Sequence, residues 1–174
     1  MAKLFNGDEV LDAKRVRELF DYDMDTGGFI RRVRAGRMLA GSVAGWKCGA
    51  APGHIYLDID GHKYKAHRIA WLYVTGAWPR CAVDHVNGKA NDNRFSNLRL
   101  ATMSQNIANA KRPKNNTSGF KGVTRNLPFT KRWRAHIKVK QKHIHLGYFD
   151  TKEQAAAAYL VAAKRYFGEF ARAE

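Results

Sequence analysis

The stretch VDHVNGKANDNRFSNLRLATMSQNIANAK, residues 83–111, decides how the chain is read. Val83 is apolar immediately before Asp84-His85, which suits a strand end that delivers both side chains to one place. NGKANDN, residues 87–93, is dense in turn formers, so the chain reverses there, and NLRL, residues 97–100, reads as the return strand. Thr102 predicts the N-cap of a helix running to about Lys111, with Asn106 on its first turns. The order is strand, loop, strand, helix, with a carboxylate and an imidazole on one element and an amide on another.

Asp and Asn supply hard oxygen ligands, which suit Mg²⁺ or Mn²⁺ better than zinc. A neighbouring histidine can take a proton from water. A phosphodiester is a substrate that this combination could hydrolyse. On these residues alone a structural reading stays open, because Asp-His pairs are common and Asn-rich loops usually bond to their own backbone.

Outward from this stretch, AHRIAWLYVTG, residues 66–76, predicts a helix with Ile69, Leu72 and Tyr73 at helical spacing and Gly76 as its stop. HIYLDIDGHKYK before it alternates through Ile55, Leu57 and Ile59, turns at Asp60-Gly61 and returns. Further upstream, Gly27-Gly28 predicts a turn before a short strand at Phe29 and Ile30, and Asp12 caps a helix over AKRVRELF. Trp46, Trp71 and Trp78 read as core, and Cys48 and Cys81 as small buried hydrophobes. A lone histidine among apolar helix residues is more often a packing residue than a ligand. His67 and Arg68 are therefore candidates only for bracing the site or bonding to phosphate.

Downstream, KRPKNNTSG, residues 111–119, is basic and polar and reads as a linker. It divides the chain into 1–112, a linker at 113–119 and a second domain over 120–174, and the two halves are expected to fold separately. FKGVTRN, RWRAHIKVK and KHIHLGYFD predict three short strands, and TKEQAAAAYLVAAKRYFG a helix with Thr151 and Gln154 as a capping box.

The composition narrows the function classes. The chain has 174 residues, 31 Lys+Arg against 15 Asp+Glu, and a formal net charge of +16. Residues 1–25 hold seven acids and four bases, so the remaining residues carry eight acids against 27 bases, a net of +19. A surplus of that size is relieved by a polyanion, and nucleic acid is the first candidate. A membrane surface would need a basic amphipathic helix, whereas the longest helix pattern is rich in Ala. No apolar run approaches the roughly 18 residues of a membrane span, and two cysteines favour a reducing compartment. A cytoplasmic protein is expected, in the host bacterial cytoplasm if a phage encodes it, with double-stranded DNA as partner and no small-molecule substrate.

The ordered set AHRIAW, VDHVNGKANDNRFSNLRLAT and QNIAN resembles the HNH endonucleases of bacteriophages, and ELFDYDMDTGGF and HKYKAHRIAWLYVTGAWP extend the resemblance over about residues 12–112. The resemblance implies a ββα-metal core within an α+β fold, elaborated at the N-terminus by a hairpin and helix. Asp84 would be a metal ligand, His85 the general base, Asn97 the residue that orients the imidazole, and Asn106 the second metal ligand, standing where many relatives have His. One divalent ion, Mg²⁺ or Mn²⁺, is implied. The paired CxxC motifs of zinc-bearing relatives are missing here, so no structural zinc is expected.

FKGVTRN, KRWRAHIKV and HIHLGYFDTKEQAAAAYLVAAKRYFGEFA resemble the DNA-binding domain of plant ethylene-response factors, the AP2/ERF type, over about residues 118–171. The resemblance implies a three-stranded antiparallel sheet packed on one helix, with the sheet laid on DNA. Phe120, Gly122, Val123, Trp133, Ala135, Ile137, Leu146, Gly147 and Phe149 match its structural positions. Lys121, Thr124 and Asn126 stand where Arg is usual, so the plant target sequence does not transfer. Lys121, Arg125, Arg132, Arg134, His136 and Lys138 are the expected DNA contacts. The two resemblances together imply a site-specific endonuclease of homing type, a monomer that nicks one strand, or two chains for a double-strand break. The alternative is a DNA-binding regulator or packaging accessory with an inactive core.

Overall fold

A computed structural model describes residues 11–47, 53–112, 115–125 and 133–172. Backbone proximity divides the chain into two compact units, Met1–Leu100 and Ala101–Glu174, so the division runs through the end of a strand and ahead of residues 111–119.

The first unit begins with helix α1, Ala13–Leu19, where the Asp12 carboxylate accepts from the Arg15 backbone N–H at 2.7 Å and caps the helix start. Strands β1 (Phe20–Tyr22), β2 (Phe29–Arg31) and β3 (Val43–Ala44) form an antiparallel sheet in that order. Strands β4 (Trp46–Lys47), β5 (Ile55–Ile59) and β6 (His62–Lys65) form a second. The β5–β6 turn is the expected two-residue one: Asp60 and Gly61 have φ of 52° and 79°, both in the left-handed region a type I′ hairpin requires. Helix α2, Ala66–Thr75, stops at left-handed Gly76. Strands β7 (Ala82–His85) and β8 (Leu98–Ala101) pair with each other. Val16, Phe20, Phe29, Leu57, Ile59, Ile69, Leu72, Val83 and Leu98 share one buried core, which fixes the base of β7.

The second unit contains helix α3, Met103–Asn109, whose Thr102 and Gln105 make a reciprocal capping box. Strands β9 (Val123–Arg125), β10 (Trp133–Val139) and β11 (Lys142–Phe149) form an antiparallel sheet with β10 in the centre. Helix α4, Lys152–Phe167, is capped by Thr151 and Gln154 and buries Ala155, Tyr159, Ala162 and Ala163. Gly122 makes this packing possible: its φ is +66°, and a Cβ there would collide with the Tyr159 ring and the His136 carbonyl. The architecture is the expected α+β one, with small antiparallel sheets, the strand–strand–helix order of β7, β8 and α3, and a three-stranded sheet carrying one helix.

Three local expectations need correction. Trp46 is not core: it lies on a two-residue edge strand and is exposed. Cys81 is exposed rather than buried, and Cys48 lies outside the described residues. Helix α3 stops at Asn109, where Ala110 leaves helical backbone at ψ 145°, and the Lys121 ammonium donates to the carbonyls of Ala108 and Ala110 at 2.6 and 2.7 Å and satisfies the helix end. Among the described residues no helix is long and apolar enough to cross a membrane.

Candidate active site

Strand β7 ends in Asp84 and His85, both buried. The reversal after it is fixed from the backbone outward. Gly88 N–H donates to His85 O at 2.8 Å and Val86 N–H to Asn97 O at 2.9 Å. Asn97 then pins the loop. Its Nδ2 donates to Asn87 Oδ1 at 3.1 Å and to Asp92 O at 2.8 Å, and its Oδ1 accepts from Asn87 N–H at 3.0 Å. Asp92 accepts two bonds from Arg94 and one from Asn87, and the Arg94 bonds hold its carboxyl far below the usual carboxylate range.

This arrangement corrects the role expected for Asn97. Both of its amide protons bond to the loop, so they cannot orient the His85 ring. The amide beside the ring is that of Asn93: its Oδ1 lies 3.1 Å from His85 Nε2, and Asn93 is only 1% exposed. The N-terminal hairpin holds Asn93 in turn. The Tyr22 hydroxyl donates to Asn93 O, and Gly27, at φ +74°, sits so close to the Asn93 and Arg94 backbone that a Cβ would overlap it. Burial raises the Tyr22 phenol, which keeps this donor protonated.

On another side of the ring, His67 from α2 lies with its centroid 4.9 Å from that of His85, and His54 lies 5.3 Å from His67. Burial, reinforced by the neighbouring imidazoles, holds His67 well below the usual imidazole range, and burial lowers His54 as well. Two neutral rings therefore wall the His85 imidazole. The Nδ1 atoms of both His54 and His67 are buried without a hydrogen-bond partner. Arg68, the other candidate on α2, places its guanidinium over the Trp78 ring at 5.3 Å. Asp84 Oδ2 accepts from Arg99 Nε at 3.1 Å across the β7–β8 pair.

The comparisons with known proteins bear on this site. The family model for HNH endonuclease matches residues 64–108, which run from β6 through the loop to α3. Protein 3.8 of Escherichia phage T7 is 33% identical over 113 residues, covering 63% of this chain and 92% of that protein. The uncharacterized HNH endonuclease L560 of Acanthamoeba polyphaga mimivirus is 33% identical over 129 residues, covering 72% of this chain and 64% of that relative. The chain belongs to the HNH endonuclease family. The matched domain supports a nuclease, for which DNA is the implied substrate, and HNH nucleases generally use a divalent metal ion.

In this HNH nuclease the donor chemistry suits a hard cation. Asp84 offers a carboxylate at the end of β7 in the first unit, while Asn106 is half-buried on α3 in the second unit. No three His, Cys, Asp or Glu side chains form a metal cage among the described residues. Mg²⁺ does not require such a cage, since it is held by one or two protein oxygens together with water and substrate phosphate. When bound, a divalent ion polarises the phosphodiester and offsets charge on the leaving oxygen. Sequence reasoning reads Asn93 as a loop stabiliser and gives no place at the site to His54 or Arg99. Asn93 sits in NDNR, where turn propensity masks any other purpose, while His54 and Arg99 meet their partners only through the fold.

The family match stops at residue 108 and leaves the C-terminal sheet of this HNH nuclease to be read from its own geometry. Along β10, Ala135 and Ile137 face α4, and Arg134, His136 and Lys138 alternate onto the other face. Tyr148, His145 and His143 stand opposite these three on β11, and Thr124 stands opposite Arg134 on β9. Arg125 has the other parity: it pairs with Trp133, and its guanidinium lies 5.8 Å from the Trp133 ring centroid. Lys121 is corrected outright. It is buried and caps α3, and burial with nearby Arg172 lowers its ammonium to about 8, still charged at neutral pH. Arg132 and Asn126 lie outside the described residues.

Lys121→Met should therefore behave as a stability variant. Losing two charged hydrogen bonds is expected to cost about 1.5–3 kcal/mol. A urea titration of the full chain measures it, and undiminished stability with weakened DNA binding would return Lys121 to the DNA-binding set.

Proposed function

We propose that this HNH nuclease is a site-specific DNA endonuclease of homing type. The carrying observation is His85, buried at the end of β7 beside Asp84, with Asn93 on Nε2 and His67 against its ring. His85 acts as general base and takes the proton of the attacking water. Asp84 and Asn106 hold one divalent ion, Mg²⁺ or Mn²⁺. Asn97 acts one step back, by fixing the loop that carries Asn93. The deciding experiment is nicking of supercoiled plasmid with Mg²⁺ against the same reaction with chelator. Equal products in both would sink the metal-dependent reading. No cutting at all would favour a DNA-binding regulator with an inactive core.

The C-terminal unit is assigned the reading of DNA, as its resemblance to AP2/ERF domains implies, through Arg134, His136 and Lys138. One active site per chain nicks one strand as a monomer, and a double-strand break takes two chains. The face carries its own pH signature. Burial lowers the His136 imidazole, and Arg134, His143 and His145 lower it further, so it is neutral in the free protein at neutral pH. Phosphate close by favours the imidazolium, so the bound pKa is higher than the free one, and affinity must rise as pH falls from about 8 to about 6. His136→Gln should flatten that dependence in binding titrations. A slope unchanged by the substitution would remove His136 from the interface.

A further inference from the structure

Between β2 and β3 the first unit extends a turn that the active site does not use. Ala35 and Met38 exchange backbone hydrogen bonds, both at 3.0 Å, around a two-residue tip of Gly36 and Arg37, with Gly36 at φ +57°. Arg34 Nε donates to Gly36 O at 3.1 Å and braces the tip. The base is closed by Arg31 N–H to Ser42 O and Gly41 N–H to Arg31 O, at 2.9 and 2.7 Å. The turn is therefore built, yet its side chains are of a kind a solvated turn does not need. Met38 is 55% and Leu39 62% exposed, and Arg34 and Arg37 are exposed beside them.

Charge selects the partner. Residues 27–47 contain Arg31, Arg32, Arg34, Arg37 and Lys47 and no acid. Arg32 is already taken up by Asp21 and the Arg17 carbonyl, and Arg31 lies over the Phe20 ring, which leaves Arg34 and Arg37 as the cations of the tip. Arginine beside exposed Met and Leu on a narrow, backbone-braced turn fits the minor groove of a DNA duplex. There the guanidinium meets a concentrated negative potential, and an apolar side chain can enter between base steps and kink the helix. The major groove would offer Met38 and Leu39 little beyond thymine methyls. We infer that the Arg34–Leu39 turn is a minor-groove arm that bends the DNA the nuclease cuts. The inference takes its ligand from the nuclease reading and needs nothing from the chemistry at His85.

The test uses the full chain and an A·T-rich duplex labelled at both ends, with binding and end-to-end energy transfer measured across about 50–200 mM salt. Arg34→Ala/Arg37→Ala should lower the slope of log affinity against log salt by about two, one for each phosphate no longer neutralised. Met38→Ser/Leu39→Ser should leave the slope unchanged, reduce the bend and weaken binding about tenfold. These positions are exposed, so the fold should hold, and circular dichroism checks it; Arg37→Ala alone, which leaves the Arg34–Gly36 brace in place, should lower the slope by about one. An unchanged slope in the arginine variant, or an unchanged bend in the apolar variant, overturns the arm. So does an apolar variant that changes only the sedimenting mass, which would make the turn a self-association face. Plasmid nicking by the same samples separates the two readings: a wild-type chain that nicks without bending DNA refutes the arm alone, and one that neither nicks nor binds refutes the nuclease reading too.

Discussion

His85→Ala is expected to lower plasmid nicking by roughly 10²–10⁴, the usual cost of removing a general base, and to leave DNA binding within a few-fold. The sharper form of this prediction lies at Asn93. An Asn93 Oδ1 that accepts at 3.1 Å requires the proton on His85 Nε2, and this is the tautomer the proposed general base uses. Asn93→Leu keeps the branching at Cγ, removes the acceptor and frees the tautomer, so the maximal nicking rate should fall by at least about 10² at unchanged affinity. Asn93→Asp keeps an acceptor for Nε2–H and should retain most of the rate. The pair discriminates between roles. If the amide instead donates Nδ2 to the ring, Asp fails as badly as Leu. If Asn93 only packs against Tyr22 and Gly27, both variants lose stability in proportion to rate. Full activity in His85→Ala would remove the general-base assignment itself.

Local chemistry was legible where one residue decides the outcome. Asp12, Thr102 and Thr151 cap helices, Gly76 stops one, and Asp60-Gly61 turns a hairpin, each through its own backbone preference or a bond to a near neighbour. Asp84 and His85 were legible because a strand end followed by a turn-rich loop leaves few alternatives. What could not be read was which amide reaches which ring. Asn87, Asn91, Asn93 and Asn97 share one loop and one propensity, and the choice of Asn93 depends on Gly27 and Tyr22, far back in the chain. Lys121 failed in a related way. Within a run of bases it looks like a residue that meets DNA, but Gly122 beside it brings α4 close, and the lysine turns inward to the carbonyls at the end of α3. Charge is counted along the chain, whereas its use is set by packing.

That packing changes what truncation should do. Residues 111–119 suggest that a chain ended at Arg112 keeps a working nuclease, but α3 draws its support from the second unit. Ala101 and Ala108 share one buried cluster with Tyr159, Ala163, Phe167 and Phe170, and the Lys121 ammonium closes the helix end. A helix of seven residues has no stability of its own in water. Ending the chain at Arg112 removes every one of these partners, so α3 should melt and Asn106 should lose its position. Cleavage is then expected to fall by at least about 10², far more than the loss of a remote recognition module would cost at saturating DNA. A full-length Arg134→Ala/Lys138→Ala chain supplies the contrast. It keeps α3 intact, so its rate at saturating DNA should hold, while its salt slope falls by about two. For the parent chain, six to ten neutralised phosphates would mean an affinity loss of roughly 10³–10⁵ between 50 and 200 mM salt. Single-turnover nicking rates and salt titrations on the three proteins decide the matter. A 1–112 chain that cuts at the parent rate would show that α3 is held without the second unit, and the two units would then be separable at the linker after all.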